Sequence, residues 1–300
     1  MVRLLESPDM NTSKDVPTTQ STTRHGQRHA TVALVIAAAV LALCAFVSCA
    51  PTSNTPSGSE PTAGGLEDAV TQVSTLEALL EGAYDGVVTY ERLADYGDFG
   101  IGTFAGLDGE MLAFDGDFYQ VKADGVAYEV GGTMSTPFAA VTFFDADMDE
   151  EVPDGTTYEV FKSHMDGILP TVNVFHAIRV DGVFDYMKTR SVPGQQKPYP
   201  PLAEVTAHQP EFEFQSVAGT LVGFRCPDYV SGINVAGYHM HFLTEDRTAG
   251  GHVLDFTIAD AGVLVDTSTS FQMLLPGEGS DFYNMGLSGA SEEEVNQVEK

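Results

Sequence analysis

"GYHMHFLTEDRTAGGHVLDF" spans residues 237–256 and places His239, His241 and His252 within fourteen positions of a 300-residue chain that contains eight histidines. Residues two apart on a β-strand point to the same face, so His239 and His241 stand side by side, with Cα atoms roughly 6.5 to 7 Å apart. The turn residues and glycines that follow, and then an apolar run, predict a hairpin that brings His252 opposite that pair. Three imidazoles are therefore expected to meet at one point.

Three protein ligands with a fourth position left open are typical of a catalytic zinc site, whereas structural zinc sites have four ligands and are rich in cysteine. Cys226 is the only cysteine beyond residue 50, so the open type is indicated. The isolated histidines His164, His176 and His208 are more typical of ordinary core or surface residues. The spacing predicts a Zn²⁺ site but does not name a reaction.

The region before this stretch has the pattern of an α+β protein with mixed or antiparallel sheets. Asp-Gly pairs between apolar runs favour two-residue hairpin turns, and they occur at Asp108-Gly109, Asp115-Gly116, Asp124-Gly125 and Asp181-Gly182. Helical spacing predicts short helices at 74–82, 89–97, 156–167 and 201–210. Ser74, three residues ahead of Glu77, has the spacing of a capping box. No parallel βαβ rhythm is present.

The N-terminus has the form of an export signal. Arg24 and Arg28 precede the uninterrupted apolar run 31–50, and small Ser48 stands just before Cys49, which resembles a bacterial lipoprotein cleavage box. We expect an exported protein anchored through a lipidated Cys49. An uncleaved N-terminal membrane anchor, or a secreted form, is the alternative.

Composition divides the chain into four parts. Residues 1–48 are the predicted signal peptide, and 49–71, rich in Pro, Ser, Thr and Gly, the predicted flexible tether. A proline-rich break at 188–202 suggests an N-terminal α+β half at 72–192 and a β-rich, zinc-binding C-terminal half at 193–300.

Charge and motif content exclude several classes of function. With 14 Lys and Arg against 43 Asp and Glu, the formal net charge is −29, which disfavours a nucleic-acid partner. The segment GIGTFAG (100–106) lacks the Lys-Ser/Thr end of a phosphate loop, DFG (98–100) has no other kinase element around it, and no G-x-S-x-G elbow is present.

Four segments together carry a family resemblance. STLEALLEGAYDG (74–86), GDFGIGTFAGLDGEM (97–111), the stretch 175–202 and the histidine segment 237–256 resemble the α-acetolactate decarboxylase family, and the resemblance runs from about 72 to 300. It implies a two-domain fold and a zinc enzyme that converts 2-acetolactate to acetoin and CO₂. It also implies that His239, His241 and His252 are the metal ligands, and it makes a homodimer an expectation.

The resemblance implies further site residues outside the histidine segment. It assigns functional roles to Glu110 in GLDGE, Arg190 in KTRSVPGQ and Thr103 in GIGTF. It also implies a glutamate from the C-terminal tail near the metal, for which Glu299 is the nearest counterpart. The alternatives Glu292, Glu293 and Glu294 lie close by in the same tail.

The chemistry of the expected substrate agrees with these residue types. Acetolactate is a β-keto acid with a tertiary hydroxyl, so loss of CO₂ sends electrons into the ketone as an enediolate, and zinc chelated by the hydroxyl and keto oxygens would stabilise that charge. Arg190 can hold a carboxylate through its planar fork of donors. Glu110, with a pKa raised by burial, can deliver the proton to the product.

Two rival interpretations remain from the sequence. His-x-His followed by Glu245 approaches the first motif of a cupin-like metal protein, but no histidine follows His252 to form the second. A non-catalytic zinc-binding surface lipoprotein is the other alternative.

Overall fold

The computed structural model describes residues 68–289 and 291–299. The predicted signal peptide, Cys49 and most of the predicted tether lie outside these ranges. Among the described residues, no helix combines the length and the apolar character that a membrane crossing requires.

The described residues contain both strands and helices. The strands are β1 (Ala69–Val73), β2 (Val88–Thr89), β3 (Phe99–Thr103), β4 (Glu110–Phe114), β5 (Asp117–Val121), β6 (Ala127–Glu129), β7 (Ser135–Thr136), β8 (Ala139–Thr142), β9 (Met148–Val152), β10 (Phe175–Arg190), β11 (Glu211–Cys226), β12 (Gly237–Thr244), β13 (Gly250–Ser268) and β14 (Ser270–Leu274). The helices are α1 (Leu76–Leu80), α2 (Tyr90–Leu93), α3 (Tyr158–Ile168), α4 (Leu202–Thr206), α5 (Asp281–Asn284) and α6 (Glu292–Glu299).

The first large sheet has seven strands in the order β14-β1-β8-β3-β4-β5-β6. Its neighbours run antiparallel except β1 and β14, which are parallel. Strand β1 begins at Ala69, so the fold starts inside the range 49–71 that was assigned to the tether. All five residues of β1 are buried, and Val70 and Val73 pack into two different apolar clusters of the fold.

The second sheet has the order β10-β11-β12-β13-β9, and an additional pairing of β10 with β13 closes four of these strands into a ring. Its strands come from both sides of residue 192, where the sequence suggested a boundary between two halves. The structure confirms the predicted α+β class with mixed and antiparallel sheets.

The two sheets pack face to face through a shared apolar core. Aromatic and aliphatic side chains of both sheets form it, and burying each valine, leucine, isoleucine or phenylalanine contributes about 1.5 to 3 kcal/mol. Sheet one supplies Val70, Phe99, Ile101, Leu112 and Phe114, and sheet two supplies Ala177, Val222, Phe224 and Leu243.

The predicted helices exist and are mostly shorter than the predicted ranges. The N-cap of α1 is Thr75, whose side chain accepts a hydrogen bond from the backbone N–H of Ala78. Ser74, the predicted cap, instead has a positive φ of 61° and lies one residue too early. Its prediction as the capping residue was wrong.

Asp115-Gly116 forms the two-residue turn between β4 and β5, as predicted, whereas Asp124-Gly125 lies in the longer loop 122–126 between β5 and β6. Asp181-Gly182 does not form a turn, because it lies inside the long strand β10. Gly182 is needed there for close approach, since a Cβ would come within 2.2 Å of the Asp260 carbonyl oxygen on β13. The predicted hairpin turn at this pair was therefore wrong, and the glycine is required by the close approach of β13 instead.

Candidate active site

Strand register brings the first site residues together. His241 of β12 is the direct partner of His252 of β13, and His252 is in turn the partner of Arg190 at the end of β10. His239 lies two residues before His241 on the same face of β12, as the sequence predicted. All three histidines are buried. One end of the second sheet thus presents three imidazoles and a guanidinium to a common point.

The three imidazoles converge closely. His239 Nε2 lies 3.2 Å from His241 Nε2 and 3.1 Å from His252 Nδ1. With zinc–nitrogen bonds of about 2.0 to 2.1 Å, tetrahedral geometry places two ligand nitrogens about 3.3 Å apart. The separations in this protein are close to that spacing, so one ion can contact all three nitrogens.

Hydrogen bonds at the outer nitrogens fix two of the tautomers. His241 Nδ1–H donates to the Met111 carbonyl oxygen at 2.8 Å, and His252 Nε2–H donates to the Glu299 carbonyl oxygen at 3.2 Å. A neutral imidazole carries one proton, so His241 Nε2 and His252 Nδ1 both present lone pairs toward His239. A hydrogen bond from the ring N–H that does not face the metal is typical of metal-ligating histidines.

Burial keeps these rings neutral. It lowers the pKa of His239 to about 3, with a smaller contribution from the Arg190 guanidinium. Burial also lowers the pKa values of His241 and His252 well below the usual histidine value. A proton on His239 Nε2 could serve only one of the acceptors His241 Nε2 and His252 Nδ1 well, whereas a cation among the three nitrogens can contact all of them. The donor set therefore fits a bound metal ion such as Zn²⁺.

Four buried polar atoms in and around the triad have no hydrogen-bond partner. These buried atoms are Glu110 Oε1, Glu299 Oε2, Arg190 Nε and His239 Nδ1. Unpaired buried polar atoms are rare in folded proteins, and several in one place indicate a missing ion or ligand. This observation supports the same metal site independently of the nitrogen distances.

Sheet one contributes Glu110 and Thr103, which are register partners on β4 and β3. Glu110 Oε2 lies 3.7 Å from His241 Nε2. Burial raises the pKa of Glu110 to about 7, against the opposing effect of Arg190. The Thr103 hydroxyl donates to the Gly109 carbonyl oxygen at 2.7 Å, so Thr103 holds the residue just before Glu110.

The C-terminal helix α6 brings Glu299 to the same point. Glu299 Oε2 lies 3.5 Å from His239 Nε2 and 3.9 Å from His252 Nδ1, and burial raises its pKa. Among the alternatives, the Glu294 carboxylate accepts hydrogen bonds from Ser291 at the start of the helix, and Glu293 is exposed. The structure therefore places Glu299, and neither of these two, beside the imidazoles.

Apolar side chains that the sequence did not single out line the remaining wall of the site. The site encloses a cavity of about 30 Å³, the space of one or two water molecules. Its apolar lining comes from helices α1 and α4 and from the segments that follow β3, precede β8 and follow β10, and consists of Leu79, Leu107, Phe138, Val192 and Leu202. These residues could be found only from the structure, because nothing in the sequence distinguishes an apolar residue of the site from one of the core.

The comparisons with known proteins agree with this geometry. A sequence model described as alpha-acetolactate decarboxylase matches residues 70–289. A protein of that name from Methanosarcina mazei is 51% identical over 233 residues, which cover 78% of this chain and 81% of the relative. The chain belongs to the alpha-acetolactate decarboxylase family.

Further members of the family show the same relationship. The alpha-acetolactate decarboxylase of Methylococcus capsulatus is 50% identical over 236 residues, which cover 78% of this chain and 90% of the relative. The crystal structure of the alpha-acetolactate decarboxylase from Bacillus subtilis superposes with a TM-score of 0.75 at 42% identity, covering 77% of this chain and 99% of that one. The resemblance predicted from the sequence is thereby confirmed.

Proposed function

We propose that this chain converts 2-acetolactate to acetoin and CO₂ in a zinc-dependent reaction. The observation that carries the proposal is the convergence of three buried, neutral imidazoles with two carboxylates and an arginine, in a chain of the alpha-acetolactate decarboxylase family. His239, His241 and His252 would hold the ion, and Glu299 lies close enough to the triad to join them. Bound zinc would supply a Lewis acid for negative charge that develops on substrate oxygens.

Arg190 would bind and orient the substrate carboxylate. Its guanidinium is buried and lies 3.8 Å from the Glu110 carboxylate, beyond the distance of a hydrogen bond. The cation thus has no tightly bound counter-ion, and a substrate carboxylate can contact it. When the carbon–carbon bond to this carboxylate breaks, CO₂ leaves and the electron pair moves toward the neighbouring ketone.

Glu110 would deliver the proton that completes the reaction. The carbon that loses CO₂ must gain a proton to become the carbinol carbon of acetoin. Glu110 Oε1 is buried without a partner, and with a pKa of about 7 the carboxyl group is partly protonated near neutral pH. This is the condition under which a carboxylic acid can act as a general acid.

The apolar wall would exclude water and contact the methyl groups of the substrate, once the cavity of about 30 Å³ widens to admit a molecule of this size. Acetolactate carries two methyl groups, and Leu79, Val192 and Leu202 line the same cavity as the polar groups. Exclusion of water strengthens the electrostatic interactions inside the site. Thr103 would act indirectly, since its hydroxyl holds the loop that precedes Glu110.

Export and lipidation are proposed on the sequence alone. The apolar run 31–50 and Cys49 support an exported lipoprotein, anchored at the membrane by its N-terminal lipid. Metabolic labelling with a palmitate analogue should mark the chain, and the Cys49→Ala variant should remain unlabelled. An unlabelled wild-type chain would favour the uncleaved anchor or the secreted form.

The direct test of the proposed function is an acetoin assay. The purified, zinc-loaded chain is mixed with racemic 2-acetolactate, and acetoin and CO₂ are measured against the spontaneous reaction. We expect equimolar acetoin and CO₂ at a rate far above background. A zinc-loaded chain that releases no acetoin would favour a non-catalytic zinc-binding protein.

A further inference from the structure

The Arg190 guanidinium is held by two neutral oxygen atoms. Arg190 Nη1 donates to Gln209 Oε1 at 2.8 Å, and Arg190 Nη2 donates to the Val298 carbonyl oxygen at 2.5 Å. The third nitrogen, Nε, has no partner. Gln209 is thus the only side chain among the described residues within hydrogen-bond distance of this cation.

The backbone around Gln209 is fixed to the same strand end that carries Arg190. The Gln209 N–H donates to the Thr206 carbonyl oxygen at the end of α4, and the Ser191 N–H donates to the Pro210 carbonyl oxygen, both at 3.3 Å. Pro210 also restricts Gln209 to extended backbone conformations. The next residue, Glu211, is the register partner of Arg190. The side chain of Gln209 therefore starts from a defined position beside the guanidinium.

The nitrogen that Gln209 contacts is the one that a side-on carboxylate does not use. A guanidinium binds a carboxylate in two parallel hydrogen bonds through its planar fork. In arginine, Nε and Nη2 form one such edge, and Nη1 lies outside it. Gln209 thus holds Nη1 and the Val298 carbonyl oxygen holds Nη2, and Nε remains without a partner.

We propose that Gln209 is a positioning residue for Arg190, whose neutral amide oxygen fixes the guanidinium without adding a carboxylate that would compete with the substrate carboxylate. An acidic residue in this place would form an ion pair with Arg190 and compete with the substrate. An apolar residue would leave Nη1 without an acceptor, and the guanidinium would lose its fixed orientation. The identity of the carboxylate rests on the proposed function.

Binding of a non-reacting α-hydroxy carboxylate tests this role apart from catalysis. The probe is 2-hydroxy-2-methylpropanoate, which has the hydroxyl, the carboxylate and methyl groups of acetolactate but no ketone, so it cannot be decarboxylated in the same way. Its dissociation constant is measured by calorimetry on the zinc-loaded full chain. Zinc content and melting temperature are recorded for every variant, so that a loss of fold or metal is recognised.

Three variants separate the effects. Gln209→Met removes the amide group, and with it the acceptor for Arg190, at similar side-chain length. Gln209→Glu adds a charge beside Arg190, and Gln215→Glu adds the same charge at an exposed position of β11. We expect the dissociation constant to rise about 10-fold or more for Gln209→Glu and about threefold for Gln209→Met, with no change for Gln215→Glu. For acetolactate the KM should rise in parallel while kcat changes less than about twofold.

The outcomes distinguish this inference from the proposed function. Unchanged probe binding in folded Gln209→Glu, or in Gln209→Met if the first variant does not fold, would overturn the positioning role. A wild-type chain that binds the probe in a Gln209-dependent way but releases no acetoin would support the positioning role and contradict the proposed reaction. A wild-type chain that neither binds the probe nor turns over acetolactate would overturn both.

Discussion

His241 and His252 are direct register partners on the antiparallel strands β12 and β13, and a Nε2 and a Nδ1 nitrogen from these two rings both face the triad centre. A strand slip of one residue turns every side chain to the opposite face. The candidate metal site therefore depends on the register of β13 against β12, from Leu243↔Gly250 to His241↔His252, and against β10. The residues that fix this register are as important as the ligands themselves.

Gly251 of β13 is a position where substitution is expected to disturb the register against β10. Its φ is +134°, and a Cβ would lie 2.4 Å from the Arg190 carbonyl oxygen. We expect Gly251→Ala to destabilise the fold by about 2 kcal/mol or more and to weaken zinc binding, measured by denaturant unfolding and by competition with a chelator. The control is Gly262→Ala on the same strand, where a Cβ meets nothing within 4 Å. Equal zinc affinity in the two variants would contradict the importance of register.

Glu110 is expected to be required for turnover. The Glu110→Gln change keeps the size of the side chain and removes the exchangeable carboxyl proton, so acetoin formation should fall about 100-fold or more. Zinc content should stay near that of the wild type, because the three imidazoles remain, and atomic absorption checks this. Unaltered turnover in the Gln variant would refute the role of proton donor.

Docking of α6 is expected to control the site. Val298 is 2% exposed and packs with Leu76, Leu79 and other apolar residues near the cavity, so an aspartate there would undock the helix. We expect Val298→Asp to lose hydrogen-exchange protection at α6 and to lose at least about 10-fold in turnover, because Glu299 leaves the site.

The neighbouring exposed position supplies the matched control for the helix. Gln297→Asp adds the same charge on the solvent side of α6, and it should change neither protection nor turnover appreciably. Full turnover by a Val298→Asp chain whose α6 exchanges freely would show that the reaction does not need the docked helix.

Asp266 is expected to make stability depend on pH. Burial and the nearby carboxylates of Asp147, Asp145 and Asp68 raise its pKa to about 6. The folded state therefore bears the cost of the buried charge above pH 6, and this cost is relieved as the pH falls from about 6 to the unfolded value near 4. Asp266→Asn should be more stable than the wild type by about 1 to 2 kcal/mol at pH 8, after allowance for partial exposure, and equal to it near pH 4.

Denaturant unfolding at several pH values measures this difference. The exposed strand residue Asp149 provides the control, since Asp149→Asn should give no comparable difference at any pH. A gain for Asp266→Asn that did not shrink on acidification would contradict the assigned cause.

The sequence alone predicted the histidine part of the site, because the residue type and the spacing of histidines both indicate a metal site. Alternating histidines and a glycine-containing turn are enough to predict a hairpin with facing imidazoles, because strand periodicity is fixed. The roles of Glu110 and Arg190 came from family resemblance, and the structure brings both side chains to the triad. Their roles in the reaction stay predictions until the variants are measured.

Other features could not be predicted because they depend on long-range approach. Gln209 is nineteen positions from Arg190 in sequence, and its contact exists only because α4 folds back beside the end of β10. The Asp181-Gly182 pair has the sequence of a hairpin turn, but Gly182 is required because a Cβ there would collide with the neighbouring strand β13. Local patterns do not distinguish these two uses of glycine.

The most direct test of the central claim is the stoichiometric return of activity with zinc. The chain is stripped with a chelator, and acetoin formation from 2-acetolactate is followed while Zn²⁺ is added back, in the wild type and in the His241→Ala variant. We expect activity to disappear on removal, to rise linearly until one zinc is bound per chain, and to stay absent in the variant. Full decarboxylation by the wild-type chain after complete removal of metal would contradict the account.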